Sequence, residues 1–128
     1  MRLLLDTHAL LWWWLADPAL PPRAAAAIED GDNVVFVSAA TAWEIATKVR
    51  KGQLAAMRDR IDRFEEDVVA DGFQTLPVAM IHGLKGGALD GAHKDPFDRI
   101  LAAQALLENM VLVTCDREMA AFGCETLW

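Results

Sequence analysis

The chain has 128 residues, 54% of them hydrophobic and 24% charged, with a formal net charge of −7. That length and mixture suit one globular domain, residues 1–128, burying roughly two-thirds of its unfolded surface, and exclude disordered and low-complexity classes. No apolar run nears the ~20 residues that a bilayer span requires, and the acidic balance argues against binding nucleic acid through overall charge, because neutralising phosphates takes basic groups.

Residues 2–5 form a short apolar run closed by Asp6, the pattern of a buried strand. Asp6 also interrupts any secretory leader, and no small-residue cleavage site comes after it, so a cytoplasmic location is expected. Residues 7–16 predict a helix broken by Pro18, Pro21 and Pro22, and Pro22 opens a second one over 23–29, closed by Gly31. Val34-Val35-Phe36-Val37 is β-branched and aromatic, a second strand. A helix starting at Ser38 or Thr41 runs to about Arg50 and stops at Gly52. Leu54, Met57, Ile61, Phe64 and Val68 then recur at spacings of 3 and 4, predicting one long amphipathic helix. Residues 74–78 predict a third strand, and a loop with Gly83, Gly86, Gly87 and Gly91 leads to Asp95-Pro96. Residues 96–108 predict a buried helix, 111–114 a fourth strand, 117–122 a short helix and 125–127 a last strand. Strands alternating with helices imply an α/β domain with a mainly parallel sheet, whose ligands sit outside the carboxyl ends of the strands.

Acids cluster just beyond these strands. Asp6 closes the first, Glu44 lies in the helix after the second, Asp95 and Asp98 open the helix before the fourth, and Asp116 stands immediately after the fourth. Carboxylates converging at one sheet edge repel unless a cation compensates them. A donor set of oxygens suits a hard ion, Mg²⁺ or Mn²⁺, and hence phosphoryl transfer. Each acid alone has a plainer reading. Asp6, Asp95 and Asp116 are potential helix N-caps, Thr41-Ala42-Trp43-Glu44 matches a capping box, and Asp98 favours a helix dipole. The two cysteines, Cys115 and Cys124, read as buried thiols, and His8, His82 and His93 show no ligand spacing.

The motifs Leu4-Leu5-Asp6-Thr7, Ser38-Ala39-Ala40-Thr41-Ala42-Trp43-Glu44, the stretch from His93-Lys94-Asp95-Pro96-Phe97-Asp98-Arg99 to Ala105, and Leu112-Val113-Thr114-Cys115-Asp116 together resemble the PIN-domain family, and within it the VapC-like toxins of toxin–antitoxin pairs. The first motif is weak and the long one strong, and the match runs through essentially the whole chain. The resemblance implies a three-layer α/β/α sandwich, Mg²⁺-dependent RNA cleavage leaving a 5′-phosphate and a 3′-hydroxyl, a VapB-like antitoxin partner and a homodimer. By motif position Asp6, Glu44 and Asp98 correspond to the principal acids and Asp116 to a fourth of variable weight, while Asp95 is extra and either shares in the site or only caps its helix. In the mechanism this implies, Asp6 and Asp98 hold a cation, Glu44 binds or orients the attacking water, and Asp116 completes a second metal position or binds through water.

Lys48, Arg99 and Arg117 adjoin these acids, either as phosphate-holding groups or as ion pairs at helical spacing. Thr7 and Thr114 are candidates to bond a carboxylate or water, or to serve turns. Trp12, Trp13 and Trp14 are ~100° apart on a helix and cannot all face one core. Either the domain covers them, or one of them meets the antitoxin or a second copy. Three other classes compete. A haloacid-dehalogenase-type phosphatase needs a second Asp two positions after the first, where this chain has His8, and a response-regulator receiver needs paired early acids and a later Lys. The third is a degenerate PIN domain that binds protein without cutting RNA.

Overall fold

The computed structural model describes residues 1–128. Five strands, β1 (Arg2–Leu5), β2 (Val34–Ser38), β3 (Gln74–Leu76), β4 (Val111–Val113) and β5 (Thr126–Leu127), form one sheet in the order β3-β2-β1-β4-β5. Every neighbouring pair is parallel, and Leu4 of β1 lies level with Phe36 on one side and Leu112 on the other. The helices are α1 (Thr7–Trp14), α2 (Pro22–Glu29), α3 (Ala39–Arg50), α4 (Phe64–Ala70), α5 (Met80–Ala88), α6 (Pro96–Leu107) and α7 (Arg117–Ala121).

The strands alternate side chains between two faces, and both are covered. Leu3, Leu5, Val35, Val37 and Val113 pack with Leu10, Ile28, Ile45 and Val68 in one core, whereas Leu4, Phe36 and Leu112 pack with Leu101, Ala102, Ala105 and Met119 in the other. Strands buried on both faces explain the near-continuous apolar runs. The expected three-layer α/β/α sandwich around a parallel sheet is what forms. No helix is long and apolar enough to cross a membrane.

Two expectations are corrected. The predicted long amphipathic helix is a 3-10 helix over Ala55–Arg63 continued by α4 from Phe64. Its apolar stripe still faces inward, with Met57 and Val68 buried. Spacings of 3 and 4 are those of an α-helix, so periodicity gives no sign that the first half winds as a 3-10 helix. The predicted glycine loop is instead largely helix α5. Gly86 is where α5 crosses α6 closely, since a Cβ there would stand 3.2 Å from the Arg99 carbonyl oxygen. Packing against α6 thus overrides the weak helix propensity of glycine.

Candidate active site

The chain passes from β1 outward to β2 and β3, then returns to β4 on the other flank of β1. Beside β1 the strand order therefore reverses, and a crevice opens there at the carboxyl ends. Asp6 comes directly after β1. Its backbone N–H donates to the Val113 carbonyl at 3.1 Å, and its Oδ1 accepts from Ala9 N–H at 2.8 Å, capping α1. Asp116 caps α7 by accepting from Glu118 N–H at 2.9 Å. Asp95 caps α6 through Phe97 N–H and Asp98 N–H at 2.9 and 3.3 Å, and Asp98 sits in the first turn. Ser38, not Thr41, caps α3 by accepting from Ala40 N–H, so Glu44 is no part of a capping box. All five carboxylates, Asp6, Glu44, Asp95, Asp98 and Asp116, line one cavity of about 330 Å³ with Thr7, His8, Lys48 and Cys115. Capping and convergence are thus not alternatives here: the caps aim the acids.

The carboxylates differ in how the chain compensates them. Glu44 is buried yet well served: Thr7 Oγ1 donates to Oε1 at 2.6 Å, and Lys48 Nζ lies 2.8 Å from Oε2. Asp6 is pushed above the usual carboxylate pKa by burial, against which the Thr114 hydroxyl and the Ala9 N–H work. Asp98 is raised as well, again first by burial; its bond to His93 opposes this, and the neighbouring Asp95 charge adds to it. These raised values mean that the protein alone leaves negative charge short of partners. The donor set fits a divalent cation: convergent carboxylates that are short of countercharge, with open volume among them.

His93 was not expected in the site. Its Nε2 lies 2.8 Å from Asp98 Oδ2 and 3.7 Å from Asp116 Oδ2, while its Nδ1 contacts Glu118 Oε2. The bond to Asp98, then the surrounding carboxylates, hold the imidazole above its ordinary pKa. His93 and Glu118 escape sequence reasoning because their partners are far apart in the chain. The one available signal is that His93 lies two residues before the Asp95 cap, inside the motif that carries Asp98.

The basic and aromatic candidates divide. Lys48 lines the cavity, engaged with Glu44, and Arg117 is exposed. Arg99 is a correction. Its guanidinium binds the backbone carbonyls of Gly86, Leu89 and His93, so it ties down the segment carrying His93 and has its donors engaged within the chain. The five donors of a guanidinium suit it to that task. Trp13 and Trp14 both donate to Asp71 Oδ2, at 3.3 and 2.8 Å, and pack on Phe73 and Phe64. Trp12, partly exposed, leans on His8 and Trp128.

In architecture the chain is similar to several solved structures. These include VapBC2 of Rickettsia felis bound to a promoter DNA fragment (TM-score 0.73, 17% identity, 99% of this chain and 98% of that one). VapBC-1 of nontypeable Haemophilus influenzae (TM-score 0.66, 16% identity, 99% and 97%) and FitAcB of Neisseria gonorrhoeae (TM-score 0.63, 18% identity, 98% and 96%) share the fold as well. No curated protein matches the sequence. A sequence profile of the PIN domain matches residues 3–123, and the chain belongs to the PIN-domain family.

Proposed function

We propose that this PIN domain is a metal-dependent endoribonuclease of the VapC toxin kind, using Mg²⁺ with Mn²⁺ as substitute, acting in the cytoplasm and restrained by a VapB-like antitoxin. The observation that carries this reading is the convergence of Asp6, Glu44, Asp98 and Asp116 on one cavity beside β1 with two of the four, Asp6 and Asp98, held above the usual carboxylate pKa. Asp6, Asp98 and Asp116 would hold the cation, which when bound supplies positive charge to a scissile phosphodiester and acidifies water. Glu44, fixed by Thr7 and Lys48, orients the attacking water and receives its proton. Lys48 faces the same cavity and offers its remaining N–H donors to a phosphate oxygen, and Arg117, exposed and next to Asp116 in the chain, offers a second. Two local cations in this way offset a net charge that otherwise opposes RNA.

Partner surfaces are part of the same proposal. Trp12 and Trp13 line a cleft of about 310 Å³ with Ala16, Leu20 and Ala25, between α1 and α2, and this is the surface assigned to the antitoxin. The homodimer is assigned to the opposite shoulder. There Trp43, 67% exposed, stands edge-on to Phe97, and Val78, Met80, Ile81 and Leu84 are exposed nearby. An apolar patch of that kind is commonly covered in the working protein.

Purified chain, free of antitoxin, is to be incubated with RNA and Mg²⁺ or Mn²⁺, with EDTA as control. Metal-dependent cleavage with 5′-phosphate ends supports the proposal. Metal binding without cleavage would instead favour a PIN domain kept for binding protein.

A further inference from the structure

Beside the cavity the donors are not all oxygen, because His93 adjoins two of the lining acids. Nε2 of His93 faces Asp98 Oδ2 and Asp116 Oδ2 at 2.8 and 3.7 Å, and the three atoms lie within 4.8 Å of one another. Adjacent ligands of a six-coordinate ion with bonds near ~2.1 Å stand roughly 3 Å apart, and these distances bracket that value. The opposite ring nitrogen, Nδ1, is held by the Glu118 carboxylate. An imidazole whose far N–H is held by a carboxylate, with its near nitrogen turned to the ion, is the usual outer arrangement of a metal-bound histidine. The segment bearing His93 is anchored independently, since Arg99 Nη1 donates to the His93 carbonyl at 2.8 Å and the same guanidinium binds Gly86 and Leu89.

The other two imidazoles are placed differently. His8 lines the cavity but is exposed and stacks on Trp12 with ring centroids 5.3 Å apart. His82 is 2% exposed, and both its nitrogens are engaged, with Ala79 N–H and with Glu108.

We propose that His93 is a nitrogen ligand of the divalent cation in this pocket, oriented by Glu118, and that it raises the affinity of the site for Mn²⁺ relative to Mg²⁺. The inference rests on the nuclease reading for the cation's presence and adds a ligand and a metal preference. Imidazole nitrogen favours first-row transition ions, whereas Mg²⁺ is best served by oxygens alone.

The test is pulsed electron-spin-echo spectroscopy of the full chain loaded with Mn²⁺, together with competition of Mg²⁺ against bound Mn²⁺. Wild type should show ¹⁴N modulation from a coordinated imidazole. His93→Gln should lose that modulation and lower the Mn²⁺-over-Mg²⁺ preference about tenfold, whereas His8→Gln should keep both. Glu118→Ala should retain the modulation while Mn²⁺ affinity drops about tenfold. Should His93→Gln fail to fold, the wild-type and His8→Gln spectra decide, because His82 is buried between Ala79 N–H and Glu108, outside the cavity. Mn²⁺ bound by oxygens alone, or modulation that disappears in His8→Gln, overturns the inference and leaves the nuclease reading standing. Failure of wild type to bind Mn²⁺ at all takes down both.

Discussion

Two histidines, each beside a carboxylate, mark two regions built on opposite principles. On the α5–α6 shoulder His82 is buried. Its Nδ1 accepts from Ala79 N–H at 2.9 Å, and its Nε2 meets Glu108 Oε1 at 2.9 Å, so both nitrogens are used at the start of α5. At the carboxyl edge of the sheet His93 is one imidazole among Asp98, Asp116 and Glu118, with Asp6 and Asp98 still raised in pKa. His82 engages both nitrogens within the chain, whereas the pocket holds acids that burial raises in pKa. Polar groups that close on themselves serve the fold, and those that do not await a ligand.

The strongest way to break that contrast is to neutralise one pocket acid. Asp6→Asn or Asp98→Asn should lower RNA cleavage roughly 10³-fold, as expected for losing several kcal/mol of transition-state charge stabilisation. In EDTA both variants should melt at or above the wild-type temperature. Asn caps a helix as well as Asp does, so α1 keeps its start in Asp6→Asn. The sign comes from the pKa. The folded-state value of Asp6 lies above its ordinary 3.8, so the native state binds more protons and wild type loses stability as pH rises through that window. The gain in Asp6→Asn is therefore present at neutral pH and fades in acid. Cleavage and melting curves measured on the same preparations check both halves, and a variant that stays fully active removes its residue from the site.

The shoulder should answer in the opposite way. His82→Ala deletes a buried ring and leaves Ala79 N–H unpaired, which costs about 2 kcal/mol of folding free energy. Mn²⁺ binding should be unchanged. Denaturant unfolding with parallel metal titration tests this, and weakened Mn²⁺ binding at wild-type stability would erase the distinction between the two regions.

Trp12 probes the pocket's border. Trp12→Ala should weaken antitoxin binding by on the order of 2 kcal/mol, as for a central interface aromatic, with cleavage by free protein retained. Trp13 and Trp14, tied to Asp71 and to Phe73 and Phe64, should act on stability instead. Fluorescence titration with antitoxin, variant by variant, separates the two outcomes. Tight binding by Trp12→Ala would leave the α1–α2 cleft without its proposed partner.

Much of this layout was legible in the sequence. Strand positions came from apolar runs such as Val34-Val35-Phe36-Val37, and acids placed directly after strands had to meet once the sheet was parallel. What escaped was tertiary in origin. Gly83, Gly86 and Gly87 read as loop because helix α5 depends on packing against α6, where Gly86 permits close approach. Arg99 read as a phosphate ligand because sequence places it beside Asp98, whereas the helix turns its guanidinium toward carbonyls of Gly86, Leu89 and His93. His93 pairs with residues 5 and 23 positions away, which no helical or strand period announces.

Asp95 belongs to neither region cleanly, and the smallest expected effect decides its place. It lines the cavity, and its charge helps to raise Asp98. Yet its Oδ1 already accepts from both Phe97 N–H and Asp98 N–H at the start of α6. A carboxylate engaged as a cap has less lone-pair capacity for a cation, although its charge still reaches one. Asp95→Ser keeps a capping oxygen and removes the charge. If Asp95 is a cap alone, stability and the Mg²⁺ concentration for half-maximal cleavage should both stay within about twofold of wild type. Asp95→Ala, which loses the cap too, should cost about 1 kcal/mol of stability with the same metal dependence. A Mg²⁺ requirement that climbs equally in both variants would make Asp95 a fifth acid of the metal site. The cap geometry favours the flat result, because a side chain that closes its bonds within the helix behaves like His82 and not like His93.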